Sequence, residues 1–259
     1  MTRQRNGFLS GYTHSLNPYM GCAFGARGSC PFCYVRALPV ALAGGGLSWG
    51  DWVMAKSNAP ELLRRELLRL SARGERPRIF FSSSTDPYQG AEARLRITRR
   101  LLEVFAELPD TFEAVLLQTR SPLVERDTDL LLRMRDQVLI SLTLETDDDE
   151  VRRALTPLSP SVSRRLATLE RLTGAGLRVQ AAVAPVLPCN PERFAALLSG
   201  RVARVLVDTF FAGDGSGGRR STSLGMGEIL ARLGHADWFK PDAHLPLMQA
   251  LFKCISARE

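Results

Sequence analysis

Apolar and polar positions along this chain follow two rhythms, a helical one and an extended one, and their alternation predicts most of its elements. Leu63, Leu67 and Leu70 recur at helical spacing after the start signals Asn58 and Pro60, and Gly74 stops the run. Arg78-Ile79-Phe80-Phe81 then reads as a short strand running into Ser82-Ser83-Ser84-Thr85-Asp86-Pro87-Tyr88. Ile97, Leu101, Val104 and Leu108 share one face of a second helix, which Pro109-Asp110 ends. Residues 114–117 give another apolar strand, closing in Gln118-Thr119-Arg120-Ser121-Pro122. Asp127 or Thr128 can cap the helix that carries Leu131 and Met134. Val138-Leu139-Ile140 leads to Ser141, Thr143 and Glu145. Ser161 or Ser163 begins a helix with Val162, Leu166 and Leu169 facing inward and Gly174 and Gly176 at its end. Residues 179–183 and 202–207 supply two more strands, and Cys254 falls in a C-terminal helix. The segment through Trp49, Trp52 and Lys56 reads as irregular.

Strand and helix therefore follow one another, an order that calls for a parallel α/β sheet with helices outside. Counting residues 12–16 as the first strand gives six strands, enough for an open doubly wound sheet or an incomplete barrel. In barrels the loops after the strands build the site. Here the first four strands run out into a cysteine loop, residues 82–86, Thr119-Arg120-Ser121, and Ser141, Thr143 and Glu145. Strand ends are polar in general because loops face water. A serine run with one carboxylate before a proline is nevertheless more specific than average loop composition.

Composition narrows the class. The 259 residues are 45% hydrophobic, ample for a buried core, and no composition shift divides them, so one domain over residues 1–259 is expected. The net charge of +7, from 34 basic and 27 acidic residues, is compatible with a polyanionic partner, a nucleic acid included. Helix positions such as Arg64, Arg65, Arg69 and Arg73 look instead like ordinary solvated surface. The N-terminal residues lack the apolar core of a signal peptide, and the apolar run at 37–47 is too short to span a bilayer, so no membrane association is expected. Five cysteines, three of them within twelve residues, suit a reducing cytoplasm better than a disulfide framework. Cys189 follows the fifth strand and either faces the site or packs in the core. Gly213-Asp214-Gly215-Ser216-Gly217-Gly218-Arg219-Arg220 lacks the Gly-Lys-Ser/Thr ending of a phosphate loop and reads as a flexible lid or linker. His235 and His244 read as structural.

The cysteine triplet is the strongest chemical signal. Cys22, Cys30 and Cys33 lie in a glycine-rich loop, Gly21 to Tyr34, and three thiolates so close are most simply metal ligands. Structural zinc takes four protein ligands, for which His14 could supply the fourth; a cubane iron-sulfur cluster held by three cysteines leaves one iron open for chemistry. Local spacing leaves both open.

The flanks carry a resemblance. Asn17-Pro18-Tyr19-Met20-Gly21-Cys22 leads into the cysteines, Phe32 stands before the third, and Tyr34 follows it. This resembles the radical SAM superfamily, and within it the spore photoproduct lyase-like branch, with its Asn-Pro-Tyr-x-Gly-Cys lead-in, its CxxxCxxC motif with an aromatic before the third cysteine, and a following Cys-Tyr. The first gap departs from that motif: here it is Cys-x7-Cys-x2-Cys. Loop closure costs grow only logarithmically with length, and Gly25 and Gly28 let the added residues turn, so three-point chelation is retained.

The resemblance implies a partial (β/α)6 TIM-type barrel of parallel strands with outer helices, closed on one side by a segment at about 210–259. It implies a 4Fe-4S cluster on Cys22, Cys30 and Cys33, with S-adenosyl-L-methionine as second cofactor. Ser84, Thr85 and Asp86 are then candidates for the amino acid end of that cofactor. Arg120 stands where the branch has the lysine of a Thr-Lys-Ser motif that reaches it. Ser141, Thr143 and Glu145 alternate along a strand, which puts them on one face suited to a ribose diol, and Phe32 is assigned to adenine. An external one-electron reductant of flavodoxin or ferredoxin type would drive cleavage to a 5'-deoxyadenosyl radical, which abstracts hydrogen from a substrate. The rival is a zinc-stabilised, arginine-rich nucleic-acid-binding protein without redox activity. The resemblance also implies a difference: where the lyase has a hydrogen-donating cysteine near the end of the second strand, this chain has Ser82, Ser83 and Ser84.

Overall fold

The apolar runs become six parallel strands lying side by side in chain order. The computed structural model describes residues 1–4, 9–24 and 30–256; Gly25 and Gly28 lie outside the described residues. A short β1 (Thr2–Arg3) pairs antiparallel with β2 (His14–Leu16). β3 (Tyr19–Cys22) and β4 (Trp52–Ala55) form a separate antiparallel ribbon. From β2 the main sheet continues through β5 (Arg78–Phe81), β6 (Ala114–Thr119), β7 (Val138–Thr143), β8 (Val179–Val183) and β9 (Arg204–Val207), each parallel to the one before.

That order decides between the two architectures. A doubly wound sheet reverses its strand order at a switch point. Here every new parallel strand adds to the same edge, so the sheet winds one way, as an eight-stranded barrel does when stopped at six. The partial barrel is the fold.

Period-two alternation assigns the two faces. Ile140, Leu142 and Leu144 share the main apolar core with Leu166, Leu169 and Leu172 of α6 (Val162–Gly174). The alternate positions carry a polar row: Gln118, Ser141, Gln180 and Arg204 are successive register partners across four strands, and Gln180 Nε2 donates to Ser141 Oγ at 2.9 Å. Outside the sheet, α1 (Ala59–Ser71) buries Leu63, Leu67 and Leu70, and α3 (Ile97–Glu107) buries Ile97, Leu101 and Val104, the stripes the sequence shows. Each such side chain contributes about 1.5–3 kcal/mol. Ser161 caps α6, accepting from the Arg164 N–H at 3.2 Å.

Several elements escape sequence reading. Helices α2 (Glu92–Leu95), α4 (Thr128–Arg133) and α5 (Asp149–Leu155) are short, as are α7 (Pro191–Leu198), α8 (Arg219–Ser223) and α9 (Met226–Arg232); of these only α4 is signalled. The stretch around Trp52 is a strand rather than irregular, because its partner is β3, thirty residues upstream. Gly21 permits that pairing: its φ is +85°, and a Cβ there would stand 2.4 Å from the Trp52 ring. The last strand starts at Arg204, with Val202 in an isolated bridge to Ser199. At the C-terminus α10 (Leu245–Ser256) packs on α7, while Met226 and Leu230 of α9 join Phe32, Leu187 and Phe210 in a second apolar cluster at the barrel mouth.

The glycine-rich stretch is ordered rather than a free lid. Asp214 Oδ1 accepts from the Ser216 N–H (2.7 Å), Ser216 Oγ (2.9 Å) and the Gly218 N–H (3.1 Å), and Oδ2 accepts from the Ser221 N–H (3.0 Å). A carboxylate of the chain itself takes up the backbone donors that an anion would need.

Candidate functional site

The β3–β4 ribbon delivers the first cysteine. Cys22 is the last residue of β3, opposite Trp52. Cys30 and Cys33 share one tight turn: the Cys33 N–H donates to the Cys30 carbonyl at 3.1 Å, and Cys33 precedes the 3-10 turn Tyr34–Ala37. All three thiols line one lobe of a cleft, about 160 Å3, at the C-terminal ends of the parallel strands, together with Ser82, Ser83, Ser84, Thr85, Asp86, Gln118, Arg120 and Thr143. A second lobe of about 170 Å3 shares Cys30, Cys33, Tyr34, Gln118 and Arg120 with the first and is bounded by Phe32, Pro185, Asp208 and Phe210. The sequence-derived loops thus converge where a barrel carries its chemistry.

Burial pushes the Cys22 thiol up to about 11 and the Cys33 thiol up to about 12, with the neighbouring Cys30 adding to both and Arg120 opposing. Buried in this way, the Cys22 and Cys33 thiols resist ionising by themselves. A bound cationic centre reverses that balance, since it binds the thiolate form. All five cysteines are unbridged.

His14 does not join them. Its ring is buried in β2, hydrogen-bonded at Nδ1 to Thr13 Oγ1 at 2.9 Å, held below its usual range by burial, and surrounded by Glu66, the amino terminus and Glu75. Among the described residues no three His, Cys, Asp or Glu side chains are gathered around a single ion's position.

The polar loop after β5 is tied to its neighbours by the residues singled out in sequence. Asn17 Oδ1 accepts from both the N–H and the Oγ of Ser84, each at 3.1 Å. Thr85 Oγ1 donates to the Gly21 carbonyl at 2.6 Å, which locks this loop to the cysteine strand. Asp86 accepts from the Tyr88 N–H (2.8 Å), Thr119 Oγ1 (2.7 Å) and the Arg120 N–H (2.9 Å), which fixes the start of the loop after β6. Arg120 then reaches across the cleft, with Nη1 donating to Cys30 Sγ at 2.8 Å and Nη2 lying 3.1 Å from Glu145 Oε1. Phe32 stacks edge-on against Phe210, centroids 6.3 Å apart.

The fourth-strand triplet is divided. Thr143 lines the inner lobe, Ser141 is covered by Gln180, and Glu145, past the strand end, is 1% exposed between Arg120 and Arg165. Burial pushes the Glu145 carboxyl up, but Arg120 and Arg165 outweigh it and hold the group below its ordinary value. Ser82 Oγ and Glu145 Oε1 are buried without an aligned protein partner.

Sequence reading missed Gln118, Arg165, Gln180 and Asp208. Gln180 carries a signal in its pattern, a single amide inside an apolar run. Arg165 carries one too, a cation beside Val162 and Leu166 on the inward stripe of α6. Cys189 lies outside the cleft lining: it packs against the main core, and burial pushes its thiol up to about 12, with Asp147 adding.

The chain is similar to known proteins in sequence and in fold. A family model described as the Radical SAM superfamily matches residues 16–199. The chain is 27% identical over 180 residues to an uncharacterized protein of Methanocaldococcus jannaschii, covering 70% of this chain and 62% of that one. It is 30% identical over 185 residues to an uncharacterized protein of Acidianus two-tailed virus, covering 69% and 58%, and 30% identical over 180 residues to one of Mycobacterium tuberculosis, covering 68% and 50%. The chain therefore spans 50–62% of the length of these relatives. Among solved structures, a spore photoproduct lyase variant with bound AdoMet and dinucleoside spore photoproduct superposes with a TM-score of 0.63 at 13% identity over 98% of this chain and 76% of that one. Streptococcus suis SuiB bound to precursor peptide SuiA gives 0.54 at 16% identity over 86% and 48%.

Proposed function

The chain belongs to the radical SAM superfamily, and from that premise we propose that its barrel mouth holds a 4Fe-4S cluster on Cys22, Cys30 and Cys33 with S-adenosylmethionine beside it. The observation that carries this is the donor set of the inner lobe. Three thiols open onto one cavity together with Ser82 Oγ, which is buried without a protein partner. Unpaired buried polar atoms are rare in native proteins and point to a missing partner. Together the cofactors supply one-electron cleavage of the sulfonium to a 5'-deoxyadenosyl radical, with a flavodoxin- or ferredoxin-type reductant as the electron source.

The chain's own groups bind, orient and exclude water. Ser84, Thr85 and Asp86 hold the loop that would take the amino acid end of S-adenosylmethionine, and Arg120 would reach the cofactor. Of the fourth-strand triplet, Thr143, which lines the cleft, would serve the ribose side, while Ser141 and Glu145 would act through Gln180 and Arg120, and Phe32, whose ring packs on Phe210, would back the adenine. Phe32 and Phe210, backed by Leu187, Met226 and Leu230 in one apolar cluster, give the outer lobe an apolar wall. Residues 1–259 act as one domain in this scheme, with the segment from about 210 closing the barrel's open side. Among the described residues no helix is long and apolar enough to cross a membrane, and free thiols suit the cytoplasm. The net charge of +7 is compatible with a nucleic acid as substrate.

Anaerobic reconstitution tests the proposal. The expected product is brown, with iron and sulfide in equal amounts, and on reduction it releases 5'-deoxyadenosine and methionine from S-adenosylmethionine. Cys22→Ala, Cys30→Ala and Cys33→Ala each abolish the cluster. Colourless protein carrying zinc would replace this function with the nucleic-acid-binding rival, and a full cluster in Cys22→Ala would remove that residue from the ligand set.

A further inference from the structure

Arg165, on α6, is 0% exposed, and a guanidinium so far from water persists only where counter-charge holds it. Its Nη1 donates to Glu145 Oε2 at 2.6 Å and to the Thr143 carbonyl at 3.0 Å. Its Nε and Nη2 have no protein partner. Glu145 turns its other oxygen toward Arg120 Nη2, 3.1 Å away, and Arg120 Nη1 donates to Cys30 Sγ at 2.8 Å. Guanidinium, carboxylate, guanidinium and sulfur thus form one line from the helix layer to the cleft.

We propose that Arg165 is a positioning residue: by occupying Glu145 it leaves the charge of Arg120 directed at Cys30 and at the cofactor held there. This rests on the cofactor function proposed above. One carboxylate between two guanidiniums cancels one positive charge and leaves one. The 2.6 Å contact with an aligned hydrogen bond belongs to Arg165, whereas the 3.1 Å contact to Arg120 is unaligned. The surplus charge therefore lies on the Arg120 side. Were Arg165 absent, both carboxylate oxygens would be free to take Arg120 in a two-pronged pair, which draws it off the sulfur. Hydrogen bonds to cluster sulfurs and the local net charge set the potential of an iron-sulfur centre. A nearby positive charge favours the form carrying the extra electron.

The test is the midpoint potential of the reconstituted protein, titrated alongside iron content and thermal melting. Arg165→Gln is expected to lower the potential by the equivalent of about tenfold in the reduction equilibrium, ~59 mV for one electron. Arg165→Lys, which keeps the charge, should restore most of it. Glu145→Gln should move the potential the other way, upward, and in that background Arg165→Gln should have a smaller effect, because the shared carboxylate is gone. A helix staple with no electrostatic role would lower the melting temperature of every variant and leave the potentials alike. Equal potentials in wild type and Arg165→Gln at equal iron content overturn the proposal. Should Arg165→Gln fail to fold, an unchanged or lowered potential in Glu145→Gln overturns it as well. Wild-type protein that takes up no iron fails earlier, at the cofactor function itself.

Discussion

Asp86 shows how one side chain at the barrel mouth serves the site by serving the backbone. Its carboxylate offers about four acceptor positions, and three are taken by the Tyr88 N–H, Thr119 Oγ1 and the Arg120 N–H. Those bonds fix where Arg120 leaves β6, and so where its guanidinium arrives. Removing a charged acceptor of this kind costs about 1.5–3 kcal/mol. Asp86→Ala is accordingly expected to lower the melting temperature and weaken S-adenosylmethionine binding about tenfold, while iron content stays at wild-type level. Calorimetric titration of reconstituted protein measures the affinity. An unchanged affinity here and in Glu145→Ala would mean that the strand-end polar groups do not hold this cofactor.

At the scale of elements, the stretch at 213–220 illustrates where sequence reading stops. Glycine content announces freedom, but Asp214 gathers the Ser216, Gly218 and Ser221 N–H groups and fixes the turn. Burial pushes its carboxyl up, yet these bonds prevail and hold it down at about 2. A depressed carboxyl stabilises the fold above its unfolded value, about 3.9, and that share disappears as pH falls from about 4 to 2. It amounts to about 2 kcal/mol. Urea unfolding at pH 5 and at pH 2.5 should show wild type losing about that much more than Asp214→Asn over the interval. Equal losses would show that the turn does not contribute to global stability. The longer elements were legible for a plain reason: α1, α3 and α6 repeat their apolar stripe over several turns, and β5 to β8 are short apolar runs. Helices of one or two turns leave too little periodicity to read, and β4 exists only because Trp52 finds Cys22 across thirty residues. The site divides likewise. The cysteine triplet and the loop at 82–86 are local and visible, whereas the pairing of Arg165 with Glu145 depends on a helix and a strand end twenty residues apart meeting in the fold.

For the whole molecule, the partial barrel brings every polar strand end to one mouth, so what lines that mouth limits the reactions possible there. Among the described residues its thiols are Cys22, Cys30 and Cys33 alone, the three proposed above as cluster ligands. Cys189, the one other cysteine that follows a barrel strand, packs against the core outside the cleft. The end of β5 carries Ser82, Ser83 and Ser84, where the lyase-like resemblance implies a thiol that returns hydrogen to a product radical. A thiol suits that task because its S–H bond is weak; a serine O–H bond is too strong to yield hydrogen readily to a carbon radical. We therefore expect this protein not to repair spore photoproduct, although its fold superposes on the lyase over 98% of its length. Reduced, reconstituted protein is given the dinucleoside spore photoproduct with S-adenosylmethionine and the products are separated by chromatography. Release of 5'-deoxyadenosine without thymidine recovery is the expected result, and placing cysteine at Ser82, Ser83 or Ser84 in turn should introduce turnover at whichever position faces the substrate. Clean conversion to two thymidines by the wild-type chain would show that some group other than a thiol at this strand end returns the hydrogen atom.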